Sequence, residues 1–252
     1  MSNILVRCAN CENRLRVSNM RKERGDRKRK IRIEIPALRV RPGELVAIVG
    51  ANGSGKSTLL DMLGLILAPD HAEEFVLNGD PPCDLGSLSP SEKIRVRRRF
   101  FAYAMQSGGL LEFISIRENI RFAARLKGGP SAKIEEVARL LGLEEVLDKR
   151  PGKTSGGQRQ KAAIACALVQ EPQIILADEP TSALDPPSAK KLINTFRRLT
   201  IEAGASLIMV THAWELVEGC ADVIYRFQVE EESSSLLRSV LVEDRLRNRA
   251  PE

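Results

Sequence analysis

The chain has 252 residues, 43% of them apolar, and a formal net charge of +6. That is enough apolar material to bury a sizeable core in one large domain or two small ones, which excludes disorder throughout. The longest unbroken apolar stretches, such as Leu45 to Val49 and Ala162 to Val169, fall far short of the roughly 18 to 20 residues a bilayer span needs.

At the N-terminus, Ile4 to Val6 is too short for a signal-peptide core and Arg7 ends it, so an intracellular chain is expected. Five scattered cysteines, an odd number, read as free thiols rather than a secreted disulfide framework. Cys8-Ala9-Asn10-Cys11 has the spacing of half a zinc site, with no second pair or histidine near it. The positive balance fits an acidic partner, either anionic lipid headgroups or nucleic acid. It is densest in a run of eight basic residues, Arg21, Lys22, Arg24, Arg27, Lys28, Arg29, Lys30 and Arg32. A solvated hairpin is the plain reading of that run, and contact with anionic lipid is the other.

Ile31, Ile33 and Ile35 alternate with charged residues, the pattern of a half-exposed strand. Leu45 to Val49 is a continuous apolar run, as in a strand covered on both faces, and Ser57 to Leu67 then reads as helix. Ser89 with Glu92 forms a capping-box pattern with Pro90 at the first helical position, opening a short basic helix through Arg95, Arg97, Arg98 and Arg99. Phe100 to Met105 reads as strand. From Gln106 to Ser155 the sequence turns helical, with a second capping box at Ser115 and Glu118, a Gly128-Gly129-Pro130 break and a further helix over Ile134 to Leu141.

Further buried strands are expected at Ile174 to Ala177, Leu207 to Val210 and Asp222 to Phe227, with helices around Ser188 to Ala203 and Ala213 to Gly219. Such alternation implies a mostly parallel sheet. Past Phe227, the acidic run Glu230 to Glu232 and the serines Ser233 to Ser235 suggest an exposed linker, and the remaining tail fits strand or helix equally.

Three segments carry chemistry. Gly50-Ala51-Asn52-Gly53-Ser54-Gly55-Lys56-Ser57, followed by Thr58, matches the phosphate loop G-x-x-x-x-G-K-[ST] between a buried strand and a helix. Its glycines let successive N–H groups turn around phosphate oxygens, Lys56 supplies charge to the β- and γ-phosphates, and the Ser57 hydroxyl is a Mg²⁺ ligand. Ile174 to Ala177 ends in Asp178 and Glu179, a pair suited to holding Mg²⁺ and to polarising an attacking water as general base. Thr154-Ser155-Gly156-Gly157-Gln158 leads directly into an apolar helix, a second helix start able to receive an anion.

In this order the motifs resemble the nucleotide-binding domain of the ABC family, over roughly residues 13 to 228. The resemblance implies an α/β P-loop NTPase with a mostly parallel core sheet, an antiparallel β subdomain and an inserted α-helical subdomain over about 107–155. Residues 1–228 would form that domain and 229–252 a C-terminal tail. Its implied cofactors are ATP and Mg²⁺. By resemblance, Gln106 is the glutamine that contacts Mg²⁺ or the attacking water, and His212 the switch histidine on the γ-phosphate. Ser155, Gly156, Gly157 and Gln158 form the signature that reaches ATP on a partner, and Asp185, in Ser182-Ala183-Leu184-Asp185, communicates across the dimer.

Two departures stand out: Arg24 occupies the position of the aromatic residue that stacks on adenine, leaving ATP against GTP open, and Thr154 replaces the signature leucine. Ala177 to Thr181, with Leu110-Leu111 and Glu118-Asn119, is similar to the branch serving lipoprotein-release, macrolide-efflux and cell-division permeases. The implied partners are a second nucleotide-binding subunit and membrane permease subunits, which would hold the chain at the cytoplasmic face of a membrane. The competing class is an ABC ATPase acting on nucleic acid or ribosomes. A single nucleotide-binding domain and no long heptad insertion count against it, so nucleic acid is not an expected partner.

Overall fold

The structure, a computed structural model, describes residues 12–26, 30–79, 81–104, 109–126, 133–202, 204–233 and 235–244, with main chain alone at 199. Gln106, the pair Cys8 and Cys11, the basic residues 27–29, the break at 128–130 and the end of the tail from 245 lie outside the described residues.

Among the described residues, ten strands form one sheet. They are β1 (Leu15–Gly25), β2 (Lys30–Val40), β3 (Leu45–Val49), β4 (Glu74–Leu77), β5 (Cys83–Asp84), β6 (Phe101–Ala104), β7 (Ile174–Asp178), β8 (Ser206–Thr211), β9 (Val223–Ser233) and β10 (Leu236–Asp244). Across the sheet they run β5-β4-β1-β2-β10-β9-β3-β8-β7-β6. The half from β9 to β6 is parallel, as expected of strands separated by helices. In the other half β1, β2, β4 and β5 pair antiparallel.

The seam between the halves is β10, which runs parallel to β2 and antiparallel to β9. The linker expected after Phe227 is therefore a strand: β9 continues to Ser233 and the chain returns as β10 into the middle of the sheet. Glu230, Glu231 and Glu232 are exposed, as their charge demands, yet Glu230 and Glu231 pair with Arg238 and Leu237 of β10, and Glu232 stands at the irregularity between Glu231 and Ser233.

Helices cover both faces: α1 (Lys56–Leu63), α2 (Pro90–Phe100), α3 (Ile116–Leu126), α4 (Ile134–Leu141), α5 (Gly156–Leu168), α6 (Pro186–Glu202) and the single turn α7 (Trp214–Val217). The continuous apolar run of β3 serves two cores at once, because alternate side chains point to opposite faces. Leu45, Ala47 and Val49 pack beneath α3, α5 and α6, whereas Val46 and Ile48 join α1, β1 and β2. Both capping boxes form; Ser115 N–H donates to Glu118 Oε2 at 2.8 Å and Glu118 N–H to Ser115 Oγ at 3.2 Å.

Helix α1 ends at Leu63, four residues before the expected Leu67, because Gly64 caps it and Leu65 turns to φ 59°. Phe100 closes α2 rather than opening the next strand. The three described cysteines, Cys83, Cys166 and Cys220, are free thiols. No helix among the described residues is long and apolar enough to cross a membrane.

Candidate functional site

The loop from Gly50 to Ser57 joins β3 to α1 and wraps an open cavity of about 330 Å³. Its sharp path needs glycine: Gly53 sits at φ 78° and Gly55 at φ 101°. A side chain at Gly55 would also meet Ile33, whose Cδ1 lies 2.7 Å from the position of a Cβ. Lys56 is buried beneath the loop, its ammonium donating to the Gly50 and Ala51 carbonyls at 2.8 and 3.0 Å. Burial lowers its pKa, opposed by the charges of Glu179 and Asp178.

From the far side of the cavity, β7 delivers two carboxylates at the carboxyl end of a parallel sheet, where open α/β folds place their ligands. Asp178 Oδ1 accepts from the Ser57 hydroxyl at 3.3 Å. Burial raises the Asp178 pKa, with Glu179 and Asp61 adding to the shift while the Ser57 hydrogen bond and Lys56 oppose it. The Ser57 hydroxyl and the half-buried Asp178 carboxylate thus offer two adjacent hard oxygen donors, a setting that fits Mg²⁺, which takes one or two protein oxygens and completes its shell with water and phosphate.

Glu179 is held at φ 45°, a backbone conformation that costs a non-glycine residue about 1–2 kcal/mol. Its N–H donates to the Val210 carbonyl at 3.0 Å. This bend directs the side chain away from the strand line toward His212, whose Nδ1 lies 2.9 Å from Glu179 Oε1. Only 8% of Glu179 is exposed, so a base there is shielded, whereas the His212 side chain is open to the cavity mouth.

The structure thus brings Asn52, Gly53, Gly55, Lys56, Ser57, Thr58, Asp178, Glu179 and His212 to one cavity. Gly50 and Ser54 form the loop behind it, Ser54 fully enclosed. Arg24 is exposed on β1 opposite Ile31 in register, and it is Ile31 and Ile33 that line the cavity. The alternation of β2 marks those isoleucines as the inward side of a half-exposed strand, but nothing in it announces their contact with the phosphate loop.

Ser155, Gly156, Gly157 and Gln158 do not line this cavity. Ser155 caps α5: its hydroxyl accepts from Gln158 N–H at 3.2 Å and Gln158 Oε1 accepts from Ser155 N–H at 2.9 Å. The two glycines lie under the loop that follows Glu179, where a Cβ on Gly157 would sit 2.5 Å from Leu184 Cδ2 and one on Gly156 3.1 Å from Ala183. Asp185 caps α6, accepting from Ser188 N–H at 3.1 Å, and its pKa is lowered by the Ser188 hydroxyl first and that backbone bond second.

One residue unseen in the sequence connects these parts. Buried Gln160 on α5 turns its amide so that Nε2 donates to Pro180 O at 3.2 Å while Oε1 accepts from Ser182 N, Ser182 Oγ and Ala183 N at 3.0–3.2 Å. The opposite orientation would leave Oε1 facing only acceptors, although it keeps one bond to the Ser182 hydroxyl.

A phosphate loop opening α1, an Asp-Glu strand end and a following histidine at one cavity define a P-loop nucleoside triphosphatase. The chain belongs, within that class, to the ABC family: residues 34–182 match the family described as ABC transporter. It is 41% identical over 191 residues to the macrolide export ATP-binding/permease protein MacB of Azoarcus sp. (strain BH72), covering 74% of this chain and 28% of that relative. It is also 41% identical over 179 residues to the lipoprotein-releasing system ATP-binding protein LolD of Paramagnetospirillum magneticum, covering 69% of this chain and 77% of LolD. The chain therefore spans little more than a quarter of MacB and about three quarters of LolD. Among solved structures, the ATP-binding cassette MJ0796, dimeric and bound to ADP and Pi, superposes with a TM-score of 0.77 at 26% identity, covering 93% of this chain and 99% of that one.

Proposed function

We propose that this chain is the ATP-binding and ATP-hydrolysing subunit of a transporter, acting as a dimer and driving a separate membrane permease. One observation carries the reading: a buried ammonium, a hydroxyl–carboxylate pair at 3.3 Å and a carboxylate–imidazole pair at 2.9 Å face one cavity. On nucleotide entry, Lys56 exchanges the Gly50 and Ala51 carbonyls for the β- and γ-phosphates, and the N–H groups around Asn52, Gly53, Ser54 and Gly55 receive phosphate oxygens. Ser57 and Asp178, joined by Gln106, would hold Mg²⁺, which neutralises charge developing on the phosphates. Glu179 accepts a proton from water as the water oxygen bonds to the γ-phosphorus. The bond to the β–γ bridging oxygen breaks, and ADP and phosphate leave. His212 keeps Glu179 oriented and reaches the γ-phosphate.

A dimer is the economical way to complete the site. The α5 helix start at Ser155, Gly156, Gly157 and Gln158 lies away from its own chain's cavity, so its N–H donors serve a triphosphate only from a facing copy. The MJ0796 cassette, a dimer with ADP and Pi bound, supports that arrangement. For the permease, exposed Ile94, Phe113, Phe122 and Leu126 offer an apolar surface around the helical insertion, suited to a helix projecting from a membrane protein. The MacB and LolD relatives support a transport partner, which would place the chain peripherally on the cytoplasmic face. Ile31 gives the base an aliphatic wall that does not separate adenine from guanine, so ATP preference is to be read by GTP competition. Anionic lipid contact has less to draw on: Lys22 already faces Asp70, Lys30 faces Glu23, and Arg32 faces both Glu23 and Glu232.

The test is Glu179→Gln. It should lower turnover by about 10²–10⁴-fold, the usual worth of a general base, while ATP binding persists and the dimer accumulates. Wild-type turnover would remove Glu179 from the role. Recovery of a permease with the chain from detergent-solubilised membranes is the expected outcome for transport; recovery with ribosomes or nucleic acid instead would overturn it.

A further inference from the structure

The phosphate loop is tied from behind by the strand that the sequence pattern hides. Ser239, on β10 and fully buried, donates its hydroxyl to the Ser54 carbonyl at 2.6 Å. The Ser54 carbonyl and the Gly55 N–H belong to one peptide plane, and in a trans peptide they point in opposite directions. Drawing the carbonyl back toward β10 therefore aims the Gly55 N–H forward, toward the cavity that Gly53, Gly55 and Lys56 line. The plane needs such a hold, because the two glycines flanking Ser54 leave the loop with wide backbone freedom.

The same strand pair fixes the other side of Gly55. Ser239 is in register with Ile33, which packs against Gly55, and Arg238 grips Glu34 with Nε and Nη2 at 3.1 and 2.8 Å from one carboxylate oxygen. The Ser54 side chain gives no help, since its own buried hydroxyl has no hydrogen-bond partner among the described residues.

We infer that Ser239 is a positioning residue for nucleotide binding: it orients the Ser54–Gly55 peptide so that the Gly55 N–H meets a phosphate oxygen. The inference rests on reading Gly50 to Ser57 as the phosphate loop. It predicts a loss in binding rather than in the chemical step, equal for ATP and ADP when the contacted phosphate is common to both.

The experiment compares Ser239→Thr with Ser239→Val in the full chain, two side chains of matched shape that differ in the hydroxyl. Ser239→Ala and Lys56→Ala accompany them. Dissociation constants for ATP and ADP, KM, kcat and melting temperature are measured for each. Ser239→Val is expected to bind both nucleotides about tenfold more weakly than Ser239→Thr, the worth of one oriented hydrogen bond, with kcat within twofold. Ser239→Ala should follow Ser239→Val. On the ¹⁵N-labelled chain, the Gly55 amide resonance should move on adding Mg-ADP in the wild type and much less in Ser239→Ala, a readout that a merely structural role would leave alone. Equal affinity for the Thr and Val pair, or an unchanged Gly55 response, overturns the inference while the phosphate loop stands. Undiminished binding by Lys56→Ala overturns the phosphate loop itself. If the valine variant does not fold, Ser239→Cys against Ser239→Ala gives the same comparison without an added methyl, and wild-type affinity in both is the refuting result.

Discussion

The two halves of the sheet differ in how they are specified. In the parallel half, each functional group sits at the end of its own strand: glycines after β3, an Asp-Glu pair closing β7, a histidine after β8, the first two announced by their immediate neighbours. In the other half, the partners come from opposite ends of the chain. Arg32 on β2 meets Glu232 on β9 at 3.1 Å, and Arg238 on β10 meets Glu34 on β2 at 2.8 Å. A basic run and an acidic run that each look solvated in isolation meet at Arg32 and Glu232, while Lys22 and Lys30 of the basic run take Asp70 and Glu23. Local chemistry is legible in order along the chain, and long-range complementarity is not.

The sharpest way to break the contrast is at Gly55, where the halves touch through Ile33. Gly55→Ala places a Cβ at φ 101°, costing about 1–2 kcal/mol, and drives it into Ile33, adding about 1–3 kcal/mol. Nucleotide affinity is expected to fall more than tenfold, with a lower melting temperature. Adding Ile33→Val should recover part of the stability, because it removes the Cδ1 contact and leaves Cγ1 at 2.8 Å and the dihedral strained. Full recovery of both stability and binding would show that the backbone conformation was not the constraint.

Next in size is Gln160, which ties α5 to the loop after Glu179. Gln160→Ala takes the donor from the buried Pro180 carbonyl and the acceptor from Ala183 N–H, a loss of about 1–3 kcal/mol by urea denaturation. Gln160→Glu keeps the acceptor and should retain more of the stability than alanine. The loop carries Asp185 and overlies Gly156 and Gly157, so turnover should fall with stability in the same order. Equal losses from Ala and Glu would place the role in the Nε2 donation to Pro180, which both variants lack, rather than in volume or the acceptor.

How far the sequence reached follows from these cases. The phosphate loop, Asp178 and Glu179 were legible because each lies in a contiguous pattern whose strand and helix context is also local, whereas His212, a lone histidine after a strand, was reached only through the family resemblance. Gln160, Ile33 and Ser239 were not, since a buried glutamine, isoleucine or serine acquires its meaning only from what folding brings opposite it. The segment after Phe227 was misread for a related reason: Glu230, Glu231 and Glu232 show no apolar alternation, and what makes them strand is the ladder with β10. The early end of α1 turned on Leu65 adopting φ 59°, which a leucine does not advertise.

A smaller effect, opposite in sign, is expected at Asp178. Burial raises its folded-state pKa above the unfolded value, so the folded chain holds that proton more tightly. Stability then falls as pH rises through the window between the two values, and at neutral pH the ionised carboxylate is a cost in the nucleotide-free chain. Asp178→Asn should therefore raise the melting temperature at neutral pH without nucleotide or Mg²⁺, and the gain should vanish once the pH drops below the carboxylate range. Turnover with Mg-ATP should be lost throughout. A lower melting temperature at neutral pH would mean that its bond with Ser57 and its attraction to Lys56 outweigh burial.

The smallest effect is at the charge seam. Arg32 lies between Glu23 and Glu232, and these neighbours raise its pKa, the Glu23 hydrogen bond first and the Glu232 charge second. All three side chains are substantially exposed, so screening by water and salt keeps the pairs weak. Arg32→Ala and Glu232→Ala should each shift the melting temperature by no more than about 2–4 °C, and less at high salt. Their double-mutant cycle should show a small favourable coupling at low salt. The same variants decide what the basic run is for. If its charges are balanced within the sheet, vesicles containing anionic lipid should sediment little wild-type chain and more of Glu232→Ala, which leaves Arg32 with Glu23 as its one carboxylate neighbour of the pair. Strong binding by the wild type, unchanged by Glu232→Ala and abolished by salt, would instead assign the run to a membrane surface. Its acidic neighbours on β9 would then owe their place to the ladder alone.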